Sequence, residues 1–94
     1  MGQTNFSPLL FIFPTTSKNA MHMKNMKSNI DIFWISAHGK VVKVYRNVPP
    51  SDTELYPSVV PVKYAIEAKP GKLPYKEGDS LDMKRIIERG SLPK

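Results

Sequence analysis

The apolar positions of this chain fall in short runs, and several of the runs alternate with a period of two. Leu9 to Phe13 is a continuous apolar run held between Pro8 and Pro14, too short for a helix and suited to a buried strand. Thr15 to Asn19 is turn chemistry. From Asn29 to Ile35 the β-formers Ile30, Ile32, Phe33, Trp34 and Ile35 nearly fill a second strand, interrupted by Asp31. Ser36 to Lys40 supplies a turn, with Gly39 at the position that tolerates positive φ. The chain then continues with Val42 and Val44 expected on one face and Lys43 and Tyr45 on the other. Together these segments predict a β-hairpin.

Beyond the hairpin, Pro49 and Pro50 cannot donate ladder hydrogen bonds, so Asn47 to Pro57 is expected to be an ordered loop. β character resumes on both sides of Pro61, where Val62, Tyr64 and Ile66 alternate with Lys63, Ala65 and Glu67. Two further turns follow, at Lys69 to Pro74 and Lys76 to Asp79. The last segment fits two patterns: Leu81 and Met83 alternate as in a strand, whereas Met83, Ile86 and Ile87 have helical spacing with Gly90 placed to cap. A short strand from about Ser80 and then a helical turn are expected. The organisation is therefore a tail over 1–8, a mainly β domain over 9–84 and a C-terminal turn over 85–94.

Composition agrees with that outline. Ninety-four residues make one small domain, and nine prolines, all outside residues 15–48, argue against long helices. No cysteine is present, which removes disulfides, thiolate metal ligands and a thiol nucleophile and is compatible with a cytoplasmic location. No segment has the length of a membrane span, and the apolar run at Leu9 lacks the basic start of a signal peptide.

The net charge of +6 is uneven, with +5 in residues 1–48 and +1 in residues 49–94. Lys24, Lys27, Lys40, Lys43 and Arg46 flank a hairpin bearing Phe33, Trp34 and Tyr45, a combination that single-stranded RNA binders use. The plainer account is that such lysines solvate loops and strand edges. Met21, His22, Met23 and Met26 offer the soft ligands that Cu(I) selects, but an extended backbone turns His22 away from Met21 and Met23, and methionine is also a filler of small cores. No second cluster of soft ligands exists to complete such a site, so no metal or other cofactor is assigned. Catalytic motifs are absent: no glycine-rich phosphate loop, no His-x-x-x-His pair and no convincing nucleophile triad. Asp31, flanked by apolar residues, is the one acid expected near a core strand, either as an acid or base of a hydrolase or lyase or as a structural acceptor of backbone N–H groups.

Read in order, "LLFIFP", "MKNMKSNIDIFWISAHGKVVKVYRNVPP" and "YPSVVPVKYAIEAKPGK…EGDSL" resemble the family called domain of unknown function 192 over roughly residues 9–83. The matching positions are Met23, Lys24 and Asn25; Asp31; Asn47, Pro49 and Pro50; Tyr56, Pro57 and Ser58; Pro61, Tyr64 and Glu67; and Gly71, Gly78 and Asp79. The resemblance implies a small antiparallel β-barrel or sandwich-like domain with little helix, and it brings no established enzyme activity. Three departures stand out. Only eight residues precede Leu9, where the family carries a further strand, so an open sheet edge that a second subunit could cover is expected. Met21 and His22 replace an aromatic pair before the Met-Lys-Asn triplet. The segment between Gly71 and Gly78 is about three residues short, and cysteines that some members carry in the Pro-Pro loop are missing.

The expectation is a module that binds a small ligand or a protein partner, with Lys24, Asn25, Asp31, Asn47, Tyr56, Ser58 and Glu67 as its candidate surface. The competing expectation is that Lys24, Asn25 and Asp31 serve the entry of the loop into the central strand.

Overall fold

A computed structural model describes residues 8–90. Six strands and one helix follow in order: β1 (Leu9–Ser17), β2 (Ala20–His22), β3 (Ile30–Ile35), β4 (Val41–Val48), β5 (Leu55–Pro57), β6 (Val62–Ala68) and α1 (Met83–Arg89). Four strands form one sheet in the order β1-β6-β3-β4, and β2 pairs with β5 in a second, two-stranded sheet. Every strand pair is antiparallel.

The large sheet is the middle of three layers, because both of its faces are apolar at the centre. All six residues of β3 are buried, the pattern of a strand covered on two sides. On face one, Phe33 and Ile35 pack with Val41, Ile66, Leu73, Tyr75, Met83 and Ile86, so α1 and the segment before it form the cover. On face two, Ile30, Ile32 and Trp34 pack with Met23, Val48, Val62 and Ala65, and Met21 and Tyr56 of the small sheet lie against them. Two aromatic donors clip the small sheet down: Trp34 Nε1 donates to the Tyr56 carbonyl at 3.2 Å and the Tyr45 hydroxyl to that of Pro57 at 2.6 Å. Tyr45 also meets Tyr56 edge to face at 5.2 Å between centroids.

The predicted hairpin is β3–β4, and its turn depends on Gly39 at φ 86°. The faces of β4 differ from expectation. Val44 packs on face one and Val42 on face two, because the register shifts between the pairs Trp34↔Lys43 and Ile35↔Val41. An irregularity of this kind changes which face the following side chains meet. β1 runs through Pro14 to Ser17, so the first turn contracts to Lys18 and Asn19. The expected loop before Pro57 contains β5, and Val59 and Val60, expected to extend a strand, form an exposed bend instead. Val59 sits there at φ 73°, a conformation that costs a β-branched residue free energy. Near the C-terminus, Ser80 makes a single bridge to Lys40 and α1 then begins. Asp82 caps it by accepting from the Arg85 N–H at 3.1 Å, and Gly90 ends it in the left-handed region at φ 71°.

The sheet is open and not closed into a barrel, which corrects that half of the fold expectation; the sandwich-like half holds. Its two edges are treated differently. β4 is covered by the 77–80 segment: Val41 N–H donates to the Asp79 carbonyl at 2.8 Å, Gly78 N–H to the Val41 carbonyl at 2.8 Å, and Val44 N–H to Glu77 Oε2 at 3.0 Å. β1 pairs only with β6 and has no strand on its other side among the described residues. Leu9, Phe11 and Ile12 are 46%, 36% and 51% exposed there. No helix among the described residues is long and apolar enough to cross a membrane.

A Cβ at Gly39 would run into the Leu81 carbonyl, whereas nothing lies within 4 Å of one at Gly71. Both glycines have positive φ, so alanine at either costs about 1 kcal/mol for the backbone alone. Gly39→Ala should destabilise the fold by at least twice as much as Gly71→Ala, as measured by urea denaturation of the two variants.

Candidate functional site

Asp31 enters the structure as the polar interruption of the most buried strand, and it is 1% exposed. Three donors converge on its carboxylate. Asn47 N–H donates to Oδ1 at 2.7 Å, while Gly71 N–H and Arg46 Nη1 donate to Oδ2 at 3.0 and 3.2 Å. The same guanidinium donates through Nη2 to the Tyr75 carbonyl and lies 5.5 Å from the Phe33 ring centroid. One carboxylate thus ties β3 to the end of β4, to the turn after β6 and, through Arg46, to the 75 segment. Three of the roughly four lone-pair sites of this carboxylate are therefore occupied, the pattern of a structural acceptor. Asn47 can accept this role because asparagine tolerates the left-handed backbone it adopts at φ 54°, and its side chain accepts from Asn29 Nδ2 at 3.0 Å.

Around the same end of the sheet, where β3 and β1 begin and β4 and β6 finish, two loops meet. The Met23 carbonyl accepts from Met26 N–H at 3.2 Å, closing a turn with Asn25 at φ 67°, and from Ser51 N–H at 3.4 Å. Met23 is fully buried beneath that turn, while Lys24, Asn25, Pro49 and Pro50 are exposed on it. Lys24 N–H is held by His22 Nδ1 at 3.3 Å.

Glu67 lies at this end on face two. It pairs across the sheet with Leu9 on one side and Ile32 on the other. Only 8% of it is exposed, yet no hydrogen bond or ion pair reaches its carboxylate among the described residues. No fully buried side-chain oxygen among these residues lacks a partner, so the Glu67 oxygens must touch solvent. Burial pushes its carboxyl above the usual range. It is flanked by apolar Ile32 and half-exposed Leu9 and has no protein partner among the described residues, a costly setting for a carboxylate. Sequence alternation groups Glu67 with Lys63 and Ala65 on one side of its strand. The signal for burial is Ala65, an apolar residue two positions earlier on the same face, which is fully buried. Leu9, Phe11 and Ile12, which the sequence pattern places in a buried strand, are exposed instead.

The remaining candidates are elsewhere. Tyr56 covers face two from β5. Ser58 is buried, accepts from Asn19 N–H at 3.0 Å and donates to the Val60 carbonyl at 2.7 Å, so it fixes the bend after β5. Gly78 and Asp79 shield the β4 edge. Tyr64 lies on face one, beside a shallow cleft of about 590 Å³ that His38, Asp82, Lys84, Ile87 and Glu88 help to line. The basic residues do not converge: Arg46 is engaged by Asp31, and Lys43 lies 5.2 Å from the Tyr45 ring on β4. Lys24 and Lys27 flank the loop before β3, and Lys40 is in the hairpin turn. Phe33 and Trp34 are fully buried on opposite faces and offer no stacking platform. Met21, Met23 and Met26 all pack into the face-two cluster, which makes them core side chains.

The fold and this arrangement define a class: a small antiparallel β-domain with a central sheet covered on both faces and a carboxylate knot at one end. Within that class the chain belongs to the family of domain of unknown function 192, described as uncharacterised ACR, whose model matches residues 4–83. A crystal structure of a candidate transcription regulator from Sinorhizobium meliloti 1021 is 26% identical, with a TM-score of 0.63 over 92% of this chain and 57% of that one. A protein of unknown function from Novosphingobium aromaticivorans DSM 12444 is 22% identical, with a TM-score of 0.71 over 78% and 54%. The chain thus spans little more than half the length of either structure. No curated protein shows significant similarity to it.

If Asp31 is structural, Asp31→Ala should lose about 3 kcal/mol in urea denaturation, because two backbone N–H groups and a guanidinium lose their acceptor. Arg46→Ala, whose side chain is 45% exposed, should lose about 1 kcal/mol. For Glu67 the sign is opposite. A folded-state pKa above the unfolded one gives stability that is complete below the ordinary glutamate range and is lost as pH rises through the folded value. Glu67→Gln should therefore melt a few degrees above the wild type at pH 7, and the gap should close near pH 3.5, below the ordinary glutamate pKa of about 4.3.

Proposed function

We propose that this domain is a binding module, without catalysis of its own, whose ligand lies on face two at the end of the sheet where β3 begins. The observation that carries this reading is Glu67, a nearly buried carboxylate without a partner among the described residues, beside the exposed apolar side chains of Leu9 and Phe11. A group in that state is costly unless something completes it. The turn carrying Lys24 and Asn25 and the Pro49–Pro50 loop, which meets it through Met23 and Ser51, provide a wall of polar and rigid residues at the same end. Proline and a tight turn hold such a wall without loss of freedom on binding.

RNA through Lys24, Lys27, Lys40, Lys43 and Arg46 is the weaker reading, since these residues occupy separate parts of the domain and Arg46 is already paired. A second subunit on the free edge of β1 remains compatible with a ligand on face two, because the edge offers backbone groups and the face offers side chains.

The test is a mixed panel of neutral, cationic and anionic aromatic fragments, followed in ¹H–¹⁵N correlation spectra. Hits should perturb the amides of Leu9, Phe11, Asn25 and Glu67. Perturbations confined to the cleft at His38 and Ile87, or an empty panel, would overturn the assignment of the site.

A further inference from the structure

We infer that the Glu67 site takes an organic cation, an amidinium or primary ammonium head set against the Glu67 carboxylate with an apolar body lying across Leu9 and Phe11. The inference rests on the binding site proposed above and names its ligand class. Three observations on the same face carry it. The carboxylate is nearly buried and has no donor among the described residues. Its neighbours across the sheet are Leu9 and Ile32, and the next pair along, Phe11 and Ala65, is also apolar. Leu9 and Phe11 keep 46% and 36% of their surface exposed, so an apolar surface beside the acid is available for contact.

Charged and titratable side chains carried by the elements on this face are His22 on β2, Lys24 and Lys27 before β3, Lys43 and Tyr45 on β4, Tyr56 on β5, and Lys63 on β6, which donates to the Pro14 carbonyl at 3.1 Å. None of them pairs with Glu67; the ion pairs among the described residues are Arg46 with Asp31 and Lys76 with Asp79. Of the possible partners for a desolvated carboxylate, a cationic donor gains most, since its hydrogen bonds are charge-assisted and a planar amidinium can give two in parallel. A neutral donor gains less, and an anion is repelled. Apolar contact on Leu9 and Phe11 adds affinity without discriminating between the three.

Benzamidine, benzamide and benzoate share one body and differ in the head, and butylammonium against butanol repeats the comparison for an ammonium. Each is titrated into the intact chain at pH 7 and followed at the amides of Leu9, Phe11 and Glu67. Benzamidine should bind at least tenfold more tightly than benzamide, benzoate should not bind, and butylammonium should outbind butanol. Glu67→Gln should abolish the tenfold preference, and acidification should weaken the two cations more than their neutral counterparts. Independently of any variant, the side-chain carboxyl of wild-type Glu67, followed by ¹³C NMR, should titrate at lower pH with benzamidine bound and unchanged with benzamide. Equal binding of benzamidine and benzamide would overturn the cation class and leave the site standing. Absence of any shift at these amides with all five probes would remove the site and the cation class together.

Discussion

A strand whose two faces are both apolar has to be covered twice, and in a domain of this size there is little chain from which to build the second cover. β3 sets that demand with six buried residues. Face one is covered by a short capped helix and the turns before it, and face two by a sheet of only two three-residue strands. Such small covers cannot hold themselves in place by area alone. The structure answers with directional bonds: indole and phenol donors from β3 and β4 reach the carbonyls of β5, and the Asp31 carboxylate ties three chain segments at the opposite end of the strand.

Two acids lie close together in register at that end and have opposite fates. Asp31, opposite Ala68, receives three donors, from Arg46, Asn47 and Gly71. Glu67, one residue earlier on β6 and therefore on the other face, receives none from the described residues. The contrast separates a carboxylate held by donors from three chain segments from one that is nearly covered, reaches solvent only at its oxygens and has no donor among the described residues.

Much of the fold was legible in the chain. The β3–β4 hairpin, the stop at Pro49–Pro50, the strand after Pro61 and the Gly90 cap all follow from local chemistry, since each is decided within a few residues. The pairing of β2 with β5 was not legible, because three-residue strands carry no periodicity and the contact spans the middle of the chain. The split of Val42 and Val44 between faces also lay beyond reach, as a register shift leaves no mark in an alternating pattern. For the candidate surface, local chemistry and the family resemblance identified Asp31 and Glu67 as residues of interest, but could not say which was satisfied.

By itself the sequence determined a mainly β domain, the strand at its centre and the residues with chemistry to offer, because propensity, alternation and turn preference act over short distances. Tertiary structure alone decided which edge was shielded, which face each side chain met and which acid found donors. Those outcomes depend on backbone groups brought from forty residues away, such as the Gly71 N–H that completes Asp31. The same long-range packing leaves Glu67 nearly covered and without a donor among the described residues, an outcome that no local pattern encodes.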